Sequence, residues 1–488
     1  MQTRIELLSS DLIARVLDEA FQLMMNPGIK ILSPRARNLL AEGGALVDQG
    51  SEVVKIQEKT ARAALQTAPS TFHLFDRLGE AKVTYGGNTV QFDPGSSAVH
   101  VLDPATLEHR SPKTADLVRI VKVAEMLPQY DAQSTAVVCD DVPKAMGDLY
   151  RLYVVLMLSA KPVVTGSFSN HNLQAMIDML ALFAGDRKRL ADRPQAVFDV
   201  CPSPPLIWSG FGAENLMALA VAGMPAEIVS MPLAGAVSPV TLVGTITQHA
   251  AECISGITIH QMAHPGSPIV WGGAPAIFDM RKGTTPMGAV ETAMIDASYA
   301  EVGKSLGLPT HCYLGASDSK VVDAQAGLES GVTALIGALA GINMISGAGM
   351  LDFLACQSAE KLVVDAEALA MAKRLLSGLQ VRPGSLATAF FEGIDFKGEF
   401  LKQRATRDLF SEEQLLPSAI IDRNSVRGWQ QGGSLDTYER AKVRTAELVQ
   451  QFHRPEIALE NETELTKIVQ AVGAAAGMES LPDLKWNP

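Results

Sequence analysis

The stretch Leu308–Glu329, LPTHCYLGASDSKVVDAQAGLE, joins a short apolar run to a segment of helical spacing through a small polar turn. Leu308 to Leu314 is long enough for a buried strand. Val321, Ala324, Leu328 and Val332 then recur on one helical face. Ser317 or Asp318 offers the side-chain oxygen that a helix N-cap uses, so Asp318 reads as a cap or as a charged group at a strand end. Strand, turn and helix make half of a βαβ unit, in which chemistry gathers in the turn at the strand's C-terminal end.

The same unit recurs on both sides. Short apolar runs fall at Ala98–Leu102, Tyr130–Val138, Pro162–Ser167, Ala196–Cys201, Glu227–Met231, Pro268–Gly272, Pro309–Leu314 and Ile342–Ser346. Helical segments lie between them, among them Lys113–Leu127, Pro143–Leu158, Leu173–Ala184 and Glu291–Leu306. Spacings of roughly 30 to 40 residues are what a strand, a helix and two loops require. Eight such strands predict an α/β fold, a (β/α)8 TIM-type barrel over residues 96–392. No G-x-G-x-x-G follows the first run, which removes support for a dinucleotide fold.

Residues 1–95 read as an N-terminal α+β extension. Ser9-Ser10-Asp11 caps a first helix, Pro34–Glu42 a second has proline in its first turn, and Thr60–Gln66 fits a third. KVTYGGNTVQF reads as two strands around Gly86-Gly87-Asn88. Residues 393–488 are more charged and predict a helical tail packed on the barrel, with a long helix over Leu435–Phe452.

Composition narrows the function. The apolar share of 47% supports a large core, and the net charge of −12 without a basic block argues against nucleic acid and anionic membrane surfaces. The five scattered cysteines read as free thiols in a reducing compartment, mostly buried, with no spacing for a metal. The N-terminus has no apolar signal core and no run reaches transmembrane length, so a cytoplasmic protein is expected.

The strand ends predict small, glycine-rich mouths around Gly235, Gly272, Gly315 and Gly347, with few ionisable groups. Trp271 and Tyr313 stand at strand ends with Phe278 nearby; Trp271 reads as a cation platform or a barrel plug, and Tyr313 as core or site. Glu214, after the fourth mouth, is a candidate charge partner. His311 reads as an ordinary barrel histidine. Lys320 raises the alternative of a Schiff-base lyase or aldolase, although a helix start is a solvated place for such a lysine. A mouth with few bases suits chemistry carried by a cofactor.

Residues 234–272, AGAVSPVTLVGTITQHAAECISGITIHQMAHPGSPIVWG, resemble the central signature of the trimethylamine methyltransferase family of corrinoid-dependent enzymes. MRKGTTPMGAVET at 280–292, DSKVVDAQAGLE at 318–329, IIDRNSVRGW at 420–429 and YERAK at 438–442 follow in family order, and HRSPKTADL at 109–117 resembles the segment leading into the barrel. The resemblance implies a barrel that passes a methyl group from an amine to Co(I) of a separate corrinoid protein, with no cofactor or metal held by the chain itself. Pyrrolysine, carried by the founding enzymes, is absent here, so the likeness is to glycine betaine and other quaternary amine methyltransferases. Many relatives resemble "IHD" where this chain has Ile345-Ser346-Gly347; a histidine and a carboxylate there would hold a substrate's polar end, and their absence argues against glycine betaine and leaves carnitine-, choline- and proline-betaine-like substrates open.

On that resemblance, Trp271, Tyr313, Phe278, Asp318, Ser346 and Glu214 are expected around a betaine-like substrate. The four glycines are expected to leave room for the corrinoid, and the chain to form a homo-oligomer. A non-catalytic module that only binds the corrinoid protein is a third reading.

Overall fold

The protein is described by a computed structural model covering residues 4–394, 396–397 and 400–484. The outermost residues of the expected extension and tail lie outside it, as do Asp395, Gly398 and Glu399 within the tail.

Eight parallel strands form the barrel: β1 (Gln91–Pro94), β2 (Gln133–Ser134), β3 (Val163–Gly166), β4 (Ala196–Val200), β5 (Ala226–Ser230), β6 (Ile269–Gly273), β7 (His311–Cys312) and β8 (Met344–Ala348). Each is followed by a helix: α1 (Thr114–Met126), α2 (Gly147–Leu158), α3 (Asn170–Ala184), α4 (Gly210–Ala222), α5 (Leu242–Ala263), α6 (Val290–Ser305), α7 (Ala324–Leu339) and α8 (Ala359–Leu376). Continuous ladders run from β2 to β6, and β8 pairs with both β7 and β1. A bridge from Trp271 to Thr310 joins β6 to β7. The β1–β2 seam has no ladder. It is held by the Asp131 amide donating to the Phe92 carbonyl at 2.8 Å and the Phe92 amide donating to the Asp131 carboxylate at 2.9 Å.

One strand assignment is corrected. The run Ala98–Leu102 is not the first barrel strand; its residues His100–Leu102 pair with Cys356–Gln357 in a small sheet outside the barrel. The true β1 comes from the second half of the expected hairpin. Ala81–Tyr85 pairs antiparallel with Phe72–Phe75 instead, freeing Gln91–Pro94 to enter the barrel. That hairpin closes the lower end. Phe72, Leu74, Val83 and Tyr85 pack against Val164, Val197, Val270 and Met344 at the lower ends of four strands and against Ala132, just before β2.

The helices start at the mouth, where side chains of Ser169, Ser209, Thr241 and Ser358 accept from backbone N–H groups of α3, α4, α5 and α8. The expected cap of α7 is corrected: Asp323 caps it, accepting from the Ala326 amide, and the helix begins at Ala324. Ser317 and Asp318 are held in the preceding loop. The tail helices Thr437–Gln451 and Leu459–Ala475 bury Ala441, Leu448, Leu465 and Val469 on the outside of the helix ring.

Strand alternation decides which side chains enter the barrel. On β6, Val270 points inward, so Trp271 points outward to the helix layer. Its indole is fully buried, its N–H donates to the Tyr299 carbonyl at 3.0 Å, and Gly303 of α6 lies so close that a Cβ there would sit 2.6 Å from the ring. Trp271 is therefore a spacer between sheet and helix. We expect Trp271→Ala to lower unfolding free energy by about 3–5 kcal/mol, as large core truncations do. Gly303→Ala should lower it by about 1–3 kcal/mol through overpacking against the same ring. Urea titration of both variants checks this; an unchanged midpoint for either would contradict the packing described.

Candidate active site

The alternation that turns Trp271 outward brings a set of polar residues inward. Above the apolar lower layer lie Asp93 of β1, Asp199 of β4, Glu227 of β5, His311 of β7 and Ser346 of β8. Asp93, Glu227, His311 and Ser346 are buried, and Asp199 reaches the cavity above. The expectation of a mouth with few ionisable groups is therefore corrected, because the acids lie inside the strands rather than in the loops after them.

These groups form one network. Ser346 Oγ donates to Asp93 and lies 3.0 Å from His311 Nε2. His311 Nδ1 is 3.1 Å from Glu227 Oε1, without the alignment of a hydrogen bond. The Tyr85 hydroxyl, from the closing hairpin, donates to Glu227 Oε2 at 3.1 Å. Glu227 neighbours Asp199 across the β4–β5 ladder. The Tyr313 hydroxyl donates to Asp199 Oδ2 at 2.9 Å and lies 3.1 Å from Ser96 Oγ.

Burial governs the charges. It pushes the His311 ring down to about 3, so the imidazole is neutral. Burial and the charge of Asp199 hold Glu227 well above the usual carboxylate range. Burial also raises Asp199, to about 6, while hydrogen bonds from Glu227 and Tyr313 and the nearby charge of Arg151 hold it back. Two adjacent buried carboxyls thus keep one proton on Glu227 and leave Asp199 ionised near neutral pH.

Asp199 opens onto a cavity of about 320 Å³ at the mouth, lined also by Ser97, Phe168, Phe211, Met231, Tyr313 and Leu354. Asp199 Oδ1 is buried and receives no hydrogen bond from an N–H or hydroxyl group, so beyond the Tyr313 hydroxyl the carboxylate meets the Glu227 carboxyl. Phe168 and Phe211 are half-exposed at the rim. Asp352, Phe353 and Leu354 take left-handed backbone in succession, a strained turn that carries Leu354 to the cavity wall. A second hollow, of about 470 Å³, lies at the lower end among Arg77, Arg189 and Arg193. It is away from the strand C-termini where barrel chemistry is built.

Of the expected substrate residues, Tyr313 lines the cavity and Ser346 belongs to the network beneath it. The others are elsewhere. Trp271 faces the helices. Phe278 is half-buried in the loop after β6, away from the cavity lining. Asp318 accepts from the Met287 and Gly288 amides at 2.7 and 3.1 Å, fastening two loops together. Glu214 accepts from Ser33 and from Asn170 outside the cavity. Lys320 donates to the Asp318 carbonyl, pairs with Asp352 at 3.4 Å and lies over the Phe353 ring.

The four glycines expected to face the corrinoid each have a backbone role. A Cβ on Gly272 would meet the Ile228 carbonyl at 2.8 Å, and one on Gly347 would meet the Leu314 carbonyl at 2.3 Å, so both allow close strand packing. Gly235 and Gly315 turn the chain with positive φ. The residues missed were Asp93, Asp199, Glu227, Arg151, Phe168 and Phe211. A lone acid inside an apolar run, as in AVFDV and AEIVS, was the available signal for two of them. Among the cysteines, Cys201 is exposed and lines the cavity, whereas the other four are buried.

Comparison with known proteins places this architecture. The fold is similar to the crystal structure of the Methanosarcina barkeri monomethylamine methyltransferase, with a TM-score of 0.53, 12% identity, and coverage of 91% of this chain and 89% of that one. The trimethylamine methyltransferase MttB of Desulfitobacterium hafniense is 31% identical over 426 residues, 87% of this chain and 85% of the relative. MttB2 of Methanosarcina mazei is 30% identical over 477 residues, 96% and 94% of the two chains. A glycine betaine methyltransferase of Desulfitobacterium hafniense is 26% identical over 477 residues, 97% and 98% of the two. The family model for trimethylamine methyltransferase (MTTB) matches residues 1–475, and the chain belongs to that family.

Proposed function

We propose that this chain transfers a methyl group from a quaternary ammonium compound to the Co(I) of a separate corrinoid protein. The observation that carries the reading is Asp199, a buried carboxylate that opens onto a small cavity with aromatic residues in its wall. A quaternary ammonium has no N–H to donate. It fits a carboxylate that needs charge compensation and aromatic faces that attract a cation. The relatives' names supply trimethylamine and glycine betaine as substrates of those proteins. The chain has no pyrrolysine, which favours the quaternary amine here.

The chemistry is displacement at a methyl carbon. The corrinoid supplies the attacking electron pair when its carrier is docked. With the carrier docked, the methyl carbon would bond to that electron pair as the C–N bond breaks, so the methyl group passes to the carrier, the C–N electrons pass to nitrogen and the amine leaves neutral. Asp199 and the rings of Phe168, Phe211 and Tyr313 hold the cation and exclude water. Alignment of the methyl carbon toward the mouth is a proximity effect, for which no acid or base is needed. The half-exposed apolar rim of Phe168, Phe211 and Met231 suits the approach of a large planar group from that side. Lys320 lies outside the cavity lining, so nothing in its surroundings favours a Schiff base.

The test is a panel of quaternary ammonium compounds mixed with the chain and a Co(I) corrinoid protein. Loss of the Co(I) absorbance together with appearance of the demethylated amine is expected for at least one compound. Complex formation without turnover for any of them would favour the binding-module reading. Lys320→Met should retain turnover, whereas borohydride trapping of substrate on Lys320 would support the lyase.

The charge state of Asp199 makes a further prediction. Its ionised form binds the cation, so affinity should be level above about pH 7 and fall as pH drops through about 6. Asp199→Asn should weaken cation binding by about 2–5 kcal/mol and abolish that dependence. Calorimetry across pH 5–8 reads both, and a flat wild-type profile would remove Asp199 as the charge partner.

A further inference from the structure

Arg151, on the second turn of α2, is fully buried beside the same cavity. Its Nη1 donates to Ser97 Oγ at 2.7 Å and to the Thr135 carbonyl at 2.9 Å. Its Nε and Nη2 are buried and have no partner. Those two nitrogens form a single edge of the guanidinium, the edge that grips a carboxylate through two parallel hydrogen bonds. The carboxylates of the chain nearby are engaged elsewhere. Asp148 accepts from the Leu149 and Phe168 amides, Ser167 and Asn172. Asp199 accepts from Tyr313.

A buried cation with three of its five N–H donors unmet is unfavourable unless a ligand completes it. The guanidinium lies directly behind the cavity wall. Ser97, its Nη1 partner, lines the cavity, as does Phe168, whose ring centroid is 5.0 Å from the guanidinium carbon. Phe168 is half-exposed, so its ring can shift without disturbing a packed core. The Arg151 charge is also near enough to Asp199 to favour that carboxylate's ionised form. The cavity therefore has a carboxylate in its lining and, directly behind its Ser97 and Phe168 wall, a guanidinium with an unmet edge. That is the complement of a zwitterion.

We infer that Arg151 is the anion-recognition residue of this cavity and takes the carboxylate of a quaternary ammonium acid whose cationic end rests by Asp199. The inference rests on the functional reading above and narrows its substrate class. Simple cations and amino alcohols leave the Arg151 edge unmet, and esters offer it no charge.

The test is calorimetry on the full-length chain, without corrinoid protein, using glycine betaine, carnitine, the methyl ester of each, and choline. Wild-type protein is expected to bind at least one acid about tenfold or more tighter than its ester, since a site built to meet a charged group rejects the analogue lacking it. In Arg151→Gln, and in Arg151→Lys, which offers a point charge in place of the planar fork, the acid-to-ester ratio should fall below about threefold. A wild-type ratio near one overturns the assignment and points to ordinary hydration of the two nitrogens. A ratio preserved in either folded variant also overturns it. If neither variant folds, the wild-type ratio decides. Binding of choline and the esters with no preference for the acids sinks only the role of Arg151. Failure of wild-type protein to bind any of these compounds sinks the functional reading as well.

Discussion

Two carboxyl groups on neighbouring strands of a dry barrel cannot both carry charge, and the interior of this protein is arranged around that constraint. Glu227 keeps the proton because it is fully buried, over Tyr85 and beside a neutral His311. Asp199 is left as the anion because it stands at the cavity, near Arg151 and under the Tyr313 hydroxyl. The apolar layer beneath them excludes water from below. Each group above and below sets the charge of this pair, and the pair sets the character of the cavity.

Much of the architecture was legible because βα alternation leaves a coarse periodic mark. Seven of the eight strands overlap the expected runs, four of them lying wholly inside, and the capped N-terminal helix begins at Ser10 as its sequence indicates. The first strand escaped because Gly86-Gly87-Asn88 carries a strong turn signal, which fixes where the chain bends but not which partner the next strand takes. Strand pairing is a tertiary choice, and here the barrel wins over the local hairpin.

The site was harder to read because alternation has a period of two, and a misjudged parity exchanges inside for outside. Trp271 looked like the natural cation platform at a strand end, yet its neighbour Val270 occupies the inward position. The same parity puts Asp199 and Glu227 inside, where lone acids in apolar runs could be taken for strand-end residues facing solvent. Arg151 gave no signal of its own. Its significance depends on which of its nitrogens are met, and that is decided by Ser97 and Thr135, distant in sequence.

The hairpin Phe72–Tyr85 has a consequence for the order of events. By filling the lower end of the barrel it leaves the mouth as the way into the cavity, so the small molecule and the carrier protein must share one doorway. A docked carrier covers the route by which the amine enters and the demethylated product departs. On the proposed function, this geometry makes turnover sequential: amine first, carrier second, and product released only after the carrier has gone. Carrier protein in excess would act as a stopper, so the two partners compete in time although they bind different chemistry.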